Sequence, residues 1–146
     1  MSDSRVADEL AIQALVARYA EAVSAHDEAL WAGTWADEGQ WLVLGRSPTG
    51  REEVVKVWNE LMSGFEFVVQ QATSGRVEID GDAATGRWQI LEFGKMKDGS
   101  AMMNIGFYRD ECVREDGAWR FARRSFSPLY VGPPDLSGAS IPFPKD

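Results

Sequence analysis

Residues 84–93, Ala-Thr-Gly-Arg-Trp-Gln-Ile-Leu-Glu-Phe, decide the fold class because their apolar side chains follow a period of two. This period is typical of a β-strand, whose successive side chains point to opposite faces of a sheet. The same pattern occurs before this stretch and twice after it, and short turns that contain Gly and Asp separate the four segments. We therefore predict an antiparallel meander whose strands span about residues 65–79, 84–93, 101–114 and 118–127.

The sequence before residue 64 has the period of helices instead. Tyr19 belongs to a stripe of apolar residues spaced three or four apart, which predicts a first helix. Asp27 can cap a second, short helix from Glu28 to about Trp35. The pair Thr49 and Glu52 fits a capping box and predicts a third helix over about residues 50–63, and a short strand is expected at residues 40–44, on an edge of the sheet.

Helices followed by a meander predict an α+β fold, with three N-terminal helices packed on one face of an antiparallel sheet. The predicted strands carry apolar residues on both faces, since Trp88 and Ile90 alternate with Leu91 and Phe93. An outer face in water would alternate more regularly with polar residues. We therefore expect the outer face to contact another subunit, so that the protein forms a homo-oligomer, either a dimer or a trimer.

The composition limits the class of protein and its partners. A chain of 146 residues is expected to form one domain, residues 1–128, followed by a proline-rich arm of the same domain at residues 129–146. The net charge of −8 argues against nucleic acid and against an anionic membrane as partners. The N-terminus does not resemble a secretory signal, and a single cysteine fits a cytoplasmic location. One cysteine (Cys112) and one histidine (His26) offer no cysteine- or histidine-rich metal site, and no cofactor is predicted.

Three segments resemble the SnoaL-like families of the nuclear transport factor 2-like superfamily. They are Leu-Val-Ala-Arg-Tyr-Ala-Glu-Ala-Val-Ser-Ala-His-Asp (15–27), Trp-Ala-Asp-Glu-Gly-Gln-Trp (35–41) and Arg-Glu-Asp-Gly-Ala-Trp-Arg-Phe-Ala-Arg-Arg (114–124). The chain looks most like the branch of scytalone dehydratases and hexachlorocyclohexane dehydrochlorinases. The resemblance implies a cone-shaped α+β barrel with an internal pocket.

The catalytic base of that branch is not retained. The resemblance aligns its histidine with Gln70 and its aspartate with Ser24, and neither an amide nor an unactivated hydroxyl takes up a proton near neutral pH. A shift of one helical turn would instead bring His26 and Asp27 to the site. Against the more distant ketosteroid isomerases, the oxyanion-binding tyrosine aligns with Tyr19 and the general base with a valine, Val43.

The resemblance and the strand pattern together give a candidate site. As catalytic residues we predict Glu92 as acid or base, with Tyr19, Tyr108 and Arg124; as residues that bind the substrate we predict Trp41, Gln70, Ile90, Asn104 and Ser24.

Three of these predictions have alternatives. Glu92 shares a strand face with Trp88 and Ile90; if that face is interior, burial raises the pKa of its carboxyl, whereas the opposite register leaves Glu92 in water. Arg124 binds a substrate oxyanion, pairs with Glu92 across the sheet, or belongs to the surface. The tryptophan cluster at 31, 35 and 41 either forms a wall for a ring-bearing ligand or fills the closed end of the cone.

Two functions are compatible with these residues. The first is a cofactor-free enzyme of the lyase, isomerase or cyclase type, which moves a proton on an apolar, cyclic small molecule. The second is a non-catalytic domain for ligand binding or assembly.

Overall fold

The computed structural model describes residues 3–135, 139, 140, 142 and 145. The elements are α1 (Asp3–Ala25), α2 (Glu28–Ala32), β1 (Trp35–Leu42), α3 (Arg51–Met62), β2 (Phe65–Asp80), β3 (Ala83–Met96), β4 (Ala101–Glu115), β5 (Ala118–Gly132) and β6 (Ala139–Ser140). Among these residues, no helix combines the length and the hydropathy that a membrane crossing needs.

The strands form one curved sheet in the order β1-β5-β4-β3-β2, with β6 paired to β5. Strands β2 to β5 are the predicted antiparallel meander, and the helices pack on the sheet, so the α+β fold class is confirmed. The first strand pairs with β5 in parallel, which makes the sheet mixed rather than wholly antiparallel. The sheet does not close on itself, because β1 and β2 remain at its two edges.

Three local predictions can be compared with the structure at the helix boundaries. Trp35 begins β1 instead of ending α2, and it is fully buried. The capping box at α3 is wrong: Gly50 is the N-cap, and the Thr49 hydroxyl donates to the Ser47 carbonyl oxygen instead. At α2 the prediction is confirmed, because the Asp27 side chain accepts a hydrogen bond from the Leu30 amide at 3.0 Å.

The core lies between α1 and the concave face of the sheet. The predicted α1 stripe is buried there, and so are all six tryptophans. Trp31 stacks on Trp58 with a centroid distance of 4.8 Å, and this pair joins α2 to α3. Apolar burial of this extent is the main force that holds helices on a sheet.

The fifth strand is longer than predicted, since β5 continues past Ser127 to Gly132. The start of the predicted proline-rich arm therefore lies in the sheet, where Tyr130 is buried and pairs with Ser140 of β6. Two other apolar residues of the arm, Ile141 and Phe143, lie outside the described residues.

Candidate active site

A cavity of about 540 Å³ lies between the concave face of the sheet and the helices. This volume is within the range of pockets that hold small organic molecules. Most of its wall is apolar, and its polar groups are few. The residues that line it are Tyr19, Val23, Trp41, Val43, Leu44, Gly45, Trp58, Leu61, Met62, Phe65, Gln70, Ile90, Glu92, Met96, Met102, Asn104, Tyr108, Phe126, Pro128 and Val131.

A row of three polar side chains crosses the sheet along one wall of this cavity. Gln70 on β2 is paired with Glu92 on β3, and Glu92 is paired with Asn104 on β4. The structure thus places Glu92 on the same face as the buried Trp88 and Ile90, whereas the neighbouring Phe93 is exposed. In the register that the structure adopts, the carboxyl of Glu92 faces the cavity.

The surroundings of Glu92 favour its neutral form. Burial raises the pKa of its carboxyl, and a hydrogen bond from Gln70 Nε2 to Glu92 Oε2, 2.8 Å long, opposes part of this effect. A raised pKa brings a carboxyl closer to neutral pH, where it can both accept and release a proton. Glu92 is therefore suited to proton transfer.

Two phenols contact each other at another part of the cavity wall. The hydroxyl oxygens of Tyr19 and Tyr108 are 3.1 Å apart, and Trp41 Nε1 donates to the Tyr108 oxygen at 3.2 Å. Burial raises the pKa of both phenols, so they stay protonated at neutral pH. Of the two hydroxyl hydrogens, one is used between the phenols. The other is available to a ligand in the cavity.

Arg124 does not take any of the roles predicted for it. Its guanidinium forms a bidentate pair with Asp110, through Nε to Oδ1 at 2.7 Å and Nη2 to Oδ2 at 3.0 Å, and both side chains are buried. It lies against the ring of Tyr108, 3.8 Å from its centroid, and it is not part of the cavity wall. Arg124 neither pairs with Glu92 nor lies at the surface. A buried cation needs an opposed carboxylate, and the strand register places Asp110 opposite Arg124.

The ion pair with Asp110 stabilises the charged form of Arg124. Burial disfavours the guanidinium cation, but the charge and the hydrogen bonds of Asp110 favour it, and the pKa of Arg124 is raised. The cation beneath the phenol rings also counters part of the effect of burial on the pKa of Tyr108. Arg124 thus acts on the cavity through Tyr19 and Tyr108.

Ser24 is placed differently from its prediction as well. It does not line the cavity; its hydroxyl accepts a hydrogen bond from the Gln70 backbone amide at 2.9 Å and donates to the Ala20 carbonyl oxygen at 3.1 Å. These bonds join the end of α1 to β2, so Ser24 holds the strand that carries Gln70. A short hydroxyl on the last turn of a helix commonly bonds to backbone rather than to a ligand.

The alternative catalytic base, His26 together with Asp27, does not lie at the cavity. Asp27 caps α2, and the His26 ring packs edge-on against Trp58 with a centroid distance of 5.5 Å. Neither residue lines the cavity. The thiol of Cys112 is buried, and burial raises its pKa to about 12, so it is not a thiolate nucleophile.

The tryptophans divide between the two roles considered for them. Trp31 and Trp35 are fully buried in the core and do not line the cavity, whereas Trp41 lines it together with Trp58. Ile90 and Asn104 line it as well, and their contact with a ligand stays a prediction.

Sequence reasoning missed Asp110. The alternation of faces along β4 was the available signal, because Asp110 follows Tyr108 by two positions and therefore lies on the same face of the strand. Among the described residues, no group of three or more His, Cys, Asp or Glu side chains is arranged to hold a metal ion.

These features define a class of protein: a small α+β domain whose open, curved sheet and helices surround an apolar cavity with an acid and two phenols. The chain matches the family model for the SnoaL-like domain over residues 4–125, and it belongs to that family. The predicted resemblance is therefore confirmed.

Relatives named for an activity are similar over nearly the whole chain. The γ-hexachlorocyclohexane dehydrochlorinase of Sphingobium indicum is 29% identical over 140 residues, which cover 91% of this chain and 88% of that protein. The crystal structure of LinA superposes with a TM-score of 0.85 at 28% identity, covering 99% of this chain and 100% of that one. A putative scytalone dehydratase of Novosphingobium aromaticivorans has a TM-score of 0.84 at 18% identity, covering 96% of each chain, and shows the shared fold.

Proposed function

We propose that this protein is a cofactor-free lyase that eliminates a leaving group from an apolar, cyclic small molecule bound in the cavity. The observation that carries the proposal is a carboxyl with a raised pKa, Glu92, in the wall of an apolar cavity that also contains a phenol donor. A titratable group of this kind is a candidate general base. The dehydrochlorinase relatives support elimination as the reaction type.

The steps assigned to each residue follow from their hydrogen-bonding capacity. The ionised carboxyl of Glu92 removes a proton from a ring carbon, a C=C bond forms, and the bond from the adjacent carbon to the leaving group breaks with its electron pair. The free phenol hydrogen of the Tyr19–Tyr108 pair donates to the leaving group or to a carbonyl oxygen of the substrate. Gln70 orients the carboxyl of Glu92 through its 2.8 Å hydrogen bond.

An elimination assay tests the proposal. The protein is incubated with γ-hexachlorocyclohexane and with cyclic β-hydroxy ketones, and products that lack HCl or water are measured by mass spectrometry. We expect the rate to rise with pH through the titration of Glu92, with a midpoint above the ordinary value of 4.5, because the ionised form is the base. Replacing Tyr108 with Phe removes a donor and is expected to lower kcat by about 10²–10³-fold. A rate that is equal with and without the protein for every compound would reject lyase activity on these substrates.

A binding domain without catalysis is the second candidate. It is favoured by the pairing of the polar groups with one another: Gln70 bonds to Glu92, and Tyr19 lies within hydrogen-bond distance of Tyr108. A binder of this kind holds its ligand but forms no product at any pH between about 4 and 8. The two functions are separated by measuring affinity and turnover on the same samples across that range.

We also propose that the protein forms a homo-oligomer through the outer face of β2 and β3. Phe67, Val69 and Phe93 on this face are 54%, 41% and 38% exposed, and Val69 is paired with Phe93. Large exposed apolar side chains that adjoin one another are typical of an interface. A second copy of the chain fits such a face because the same apolar surface can pair with itself.

Replacing Phe93 with Glu is expected to shift the oligomer toward monomer, because a charge at the interface must be desolvated without a partner. Sedimentation velocity at several concentrations measures the mass. Leu10→Glu is the control, since Leu10 is 59% exposed on α1. A wild-type protein that sediments as a monomer at all concentrations would show that this face is not a self-interface.

A further inference from the structure

The strand β1 is followed by a two-residue hairpin turn at the cavity. The backbone of Val43 exchanges both hydrogen bonds with Arg46, at 3.0 and 2.8 Å, and the residues between them are Leu44 and Gly45. Both central residues have a positive φ, 50° for Leu44 and 75° for Gly45. This pair of angles is typical of the turn that prefers Asn-Gly or Asp-Gly.

A second turn of the same chain has the preferred residues. Asp116 and Gly117 connect β4 to β5 with φ angles of 52° and 78°, nearly the same as those at the first turn. The two turns therefore have similar backbone angles but different first residues. Leucine is poorly suited to this position. A residue with a Cβ rarely adopts a positive φ unless its side chain is short and polar and can hydrogen-bond to the backbone.

The side chain of Leu44 also gains little from burial. It is 72% exposed, the most exposed of the large hydrophobic residues among those described, and yet it lines the cavity. Leu44 is thus placed at the rim, with part of its surface toward the cavity and part in water. A residue that is held at a positive φ, with little burial to compensate for it, is a candidate for a function at that position.

We propose that Leu44 is a specificity-determining residue that covers an apolar ligand in the cavity. Contact with the ligand removes exposed leucine surface from water, which is favourable for apolar groups. The hairpin turn holds the side chain at the rim, so this contact forms without reorganisation of the backbone. The inference rests on the proposed function, since it requires an apolar ligand at this site.

Replacement of Leu44 with Asn separates stability from binding. We expect the melting temperature to rise by about 2–4 °C, because Asn accepts the positive φ, and the affinity for an apolar ligand to fall by about 5–20-fold, because the apolar contact is lost. The probe is 1-anilinonaphthalene-8-sulfonate, whose fluorescence increases in an apolar cavity. Once a substrate is identified, KM is expected to rise with little change in kcat.

The reciprocal substitution is the matched control. Asp116→Leu installs leucine in the other turn, so we expect it to lower the melting temperature and to leave the affinity for the probe unchanged. The variant Ile90→Trp partly fills the cavity and is expected to prevent binding of the probe, which verifies where the probe sits.

The outcomes distinguish this inference from the function on which it rests. If the wild type binds the probe in the cavity and Leu44→Asn binds it equally well, Leu44 has no part in specificity, while the apolar site remains. If the wild type does not bind the probe, or if Ile90→Trp binds it as tightly, the cavity is not a site for apolar ligands and both proposals are wrong.

Discussion

Replacing Asp110 with Ala is expected to lower the free energy of unfolding by about 3–5 kcal/mol, because it leaves the buried guanidinium of Arg124 without its carboxylate. Arg124 is 0% exposed and Asp110 is 3% exposed. The remaining cation must therefore stay buried without its carboxylate or leave the core. Since domains of this size are stable by about 5–15 kcal/mol, the loss is a large part of the total.

Urea unfolding, followed by tryptophan fluorescence, measures this effect. Asp110→Asn retains the shape and one acceptor oxygen but not the charge, so we expect a smaller loss and a variant that still folds. The double variant Asp110→Leu with Arg124→Met is expected to recover most of the stability, since apolar residues of similar volume often replace a buried ion pair without cost. Asp80→Ala, at an exposed position, should change stability by about 0.5 kcal/mol or less. Equal unfolding midpoints for Asp110→Ala and Asp80→Ala would contradict the assigned role of the pair.

Replacing Glu92 with Gln is expected to reduce kcat for elimination by about 10²–10⁴-fold, because an amide cannot accept the substrate proton. The amide is close in shape to the carboxyl and can still accept the hydrogen bond from Gln70. The loss should therefore appear in kcat more than in the affinity for substrate. Glu111→Gln makes the same change of charge at an exposed position of the sheet, and we expect it to retain full activity.

The same variant also tests the raised pKa of Glu92. The folded protein holds the proton of this carboxyl more tightly than the unfolded chain does, so the contribution of Glu92 to stability is greatest below the unfolded pKa and is lost as pH rises through the folded pKa. Gln does not titrate. We therefore expect Glu92→Gln to melt at a higher temperature than the wild type at pH 7, and the difference to shrink as the pH falls below about 4. If the difference in melting temperature between wild type and variant does not change across this pH range, the carboxyl is solvated. If the variant retains elimination activity, Glu92 has no part in the mechanism.

The strong effect expected at Asp110 and the moderate one at Leu44 have a common physical origin. In both cases a local feature is unfavourable by itself. At Asp110 it is the buried cation of Arg124, and at Leu44 it is the positive φ. The buried cation is compensated within the chain, by the carboxylate opposite it. The leucine at the cavity rim remains largely exposed, which is why a ligand is inferred for it and not for Arg124.

The sequence by itself determined the order of the elements, the meander and the strand face that Glu92 shares with Trp88 and Ile90, but not whether that face is interior. These depend on periods of 3.6 and 2, which are local properties of the chain, and the pairing of β3 with β4 runs from Ala83 to Lys95 without a break in register. The alternation of side-chain faces therefore continues without interruption from Trp88 to Glu92.

Only the tertiary structure decided the environment of Arg124 and the parallel pairing of β1. A bulge in β5 places one extra residue, Ala122, between the partners of Glu111 and Cys112, so that Phe121 and Arg124 are both buried although they are three positions apart. A period of two cannot predict this, because a bulge shifts the faces of every residue beyond it. The ion pair with Asp110 and the contact with Tyr108 follow from that shift, since they join residues that are distant in sequence and are opposed only when the sheet is assembled.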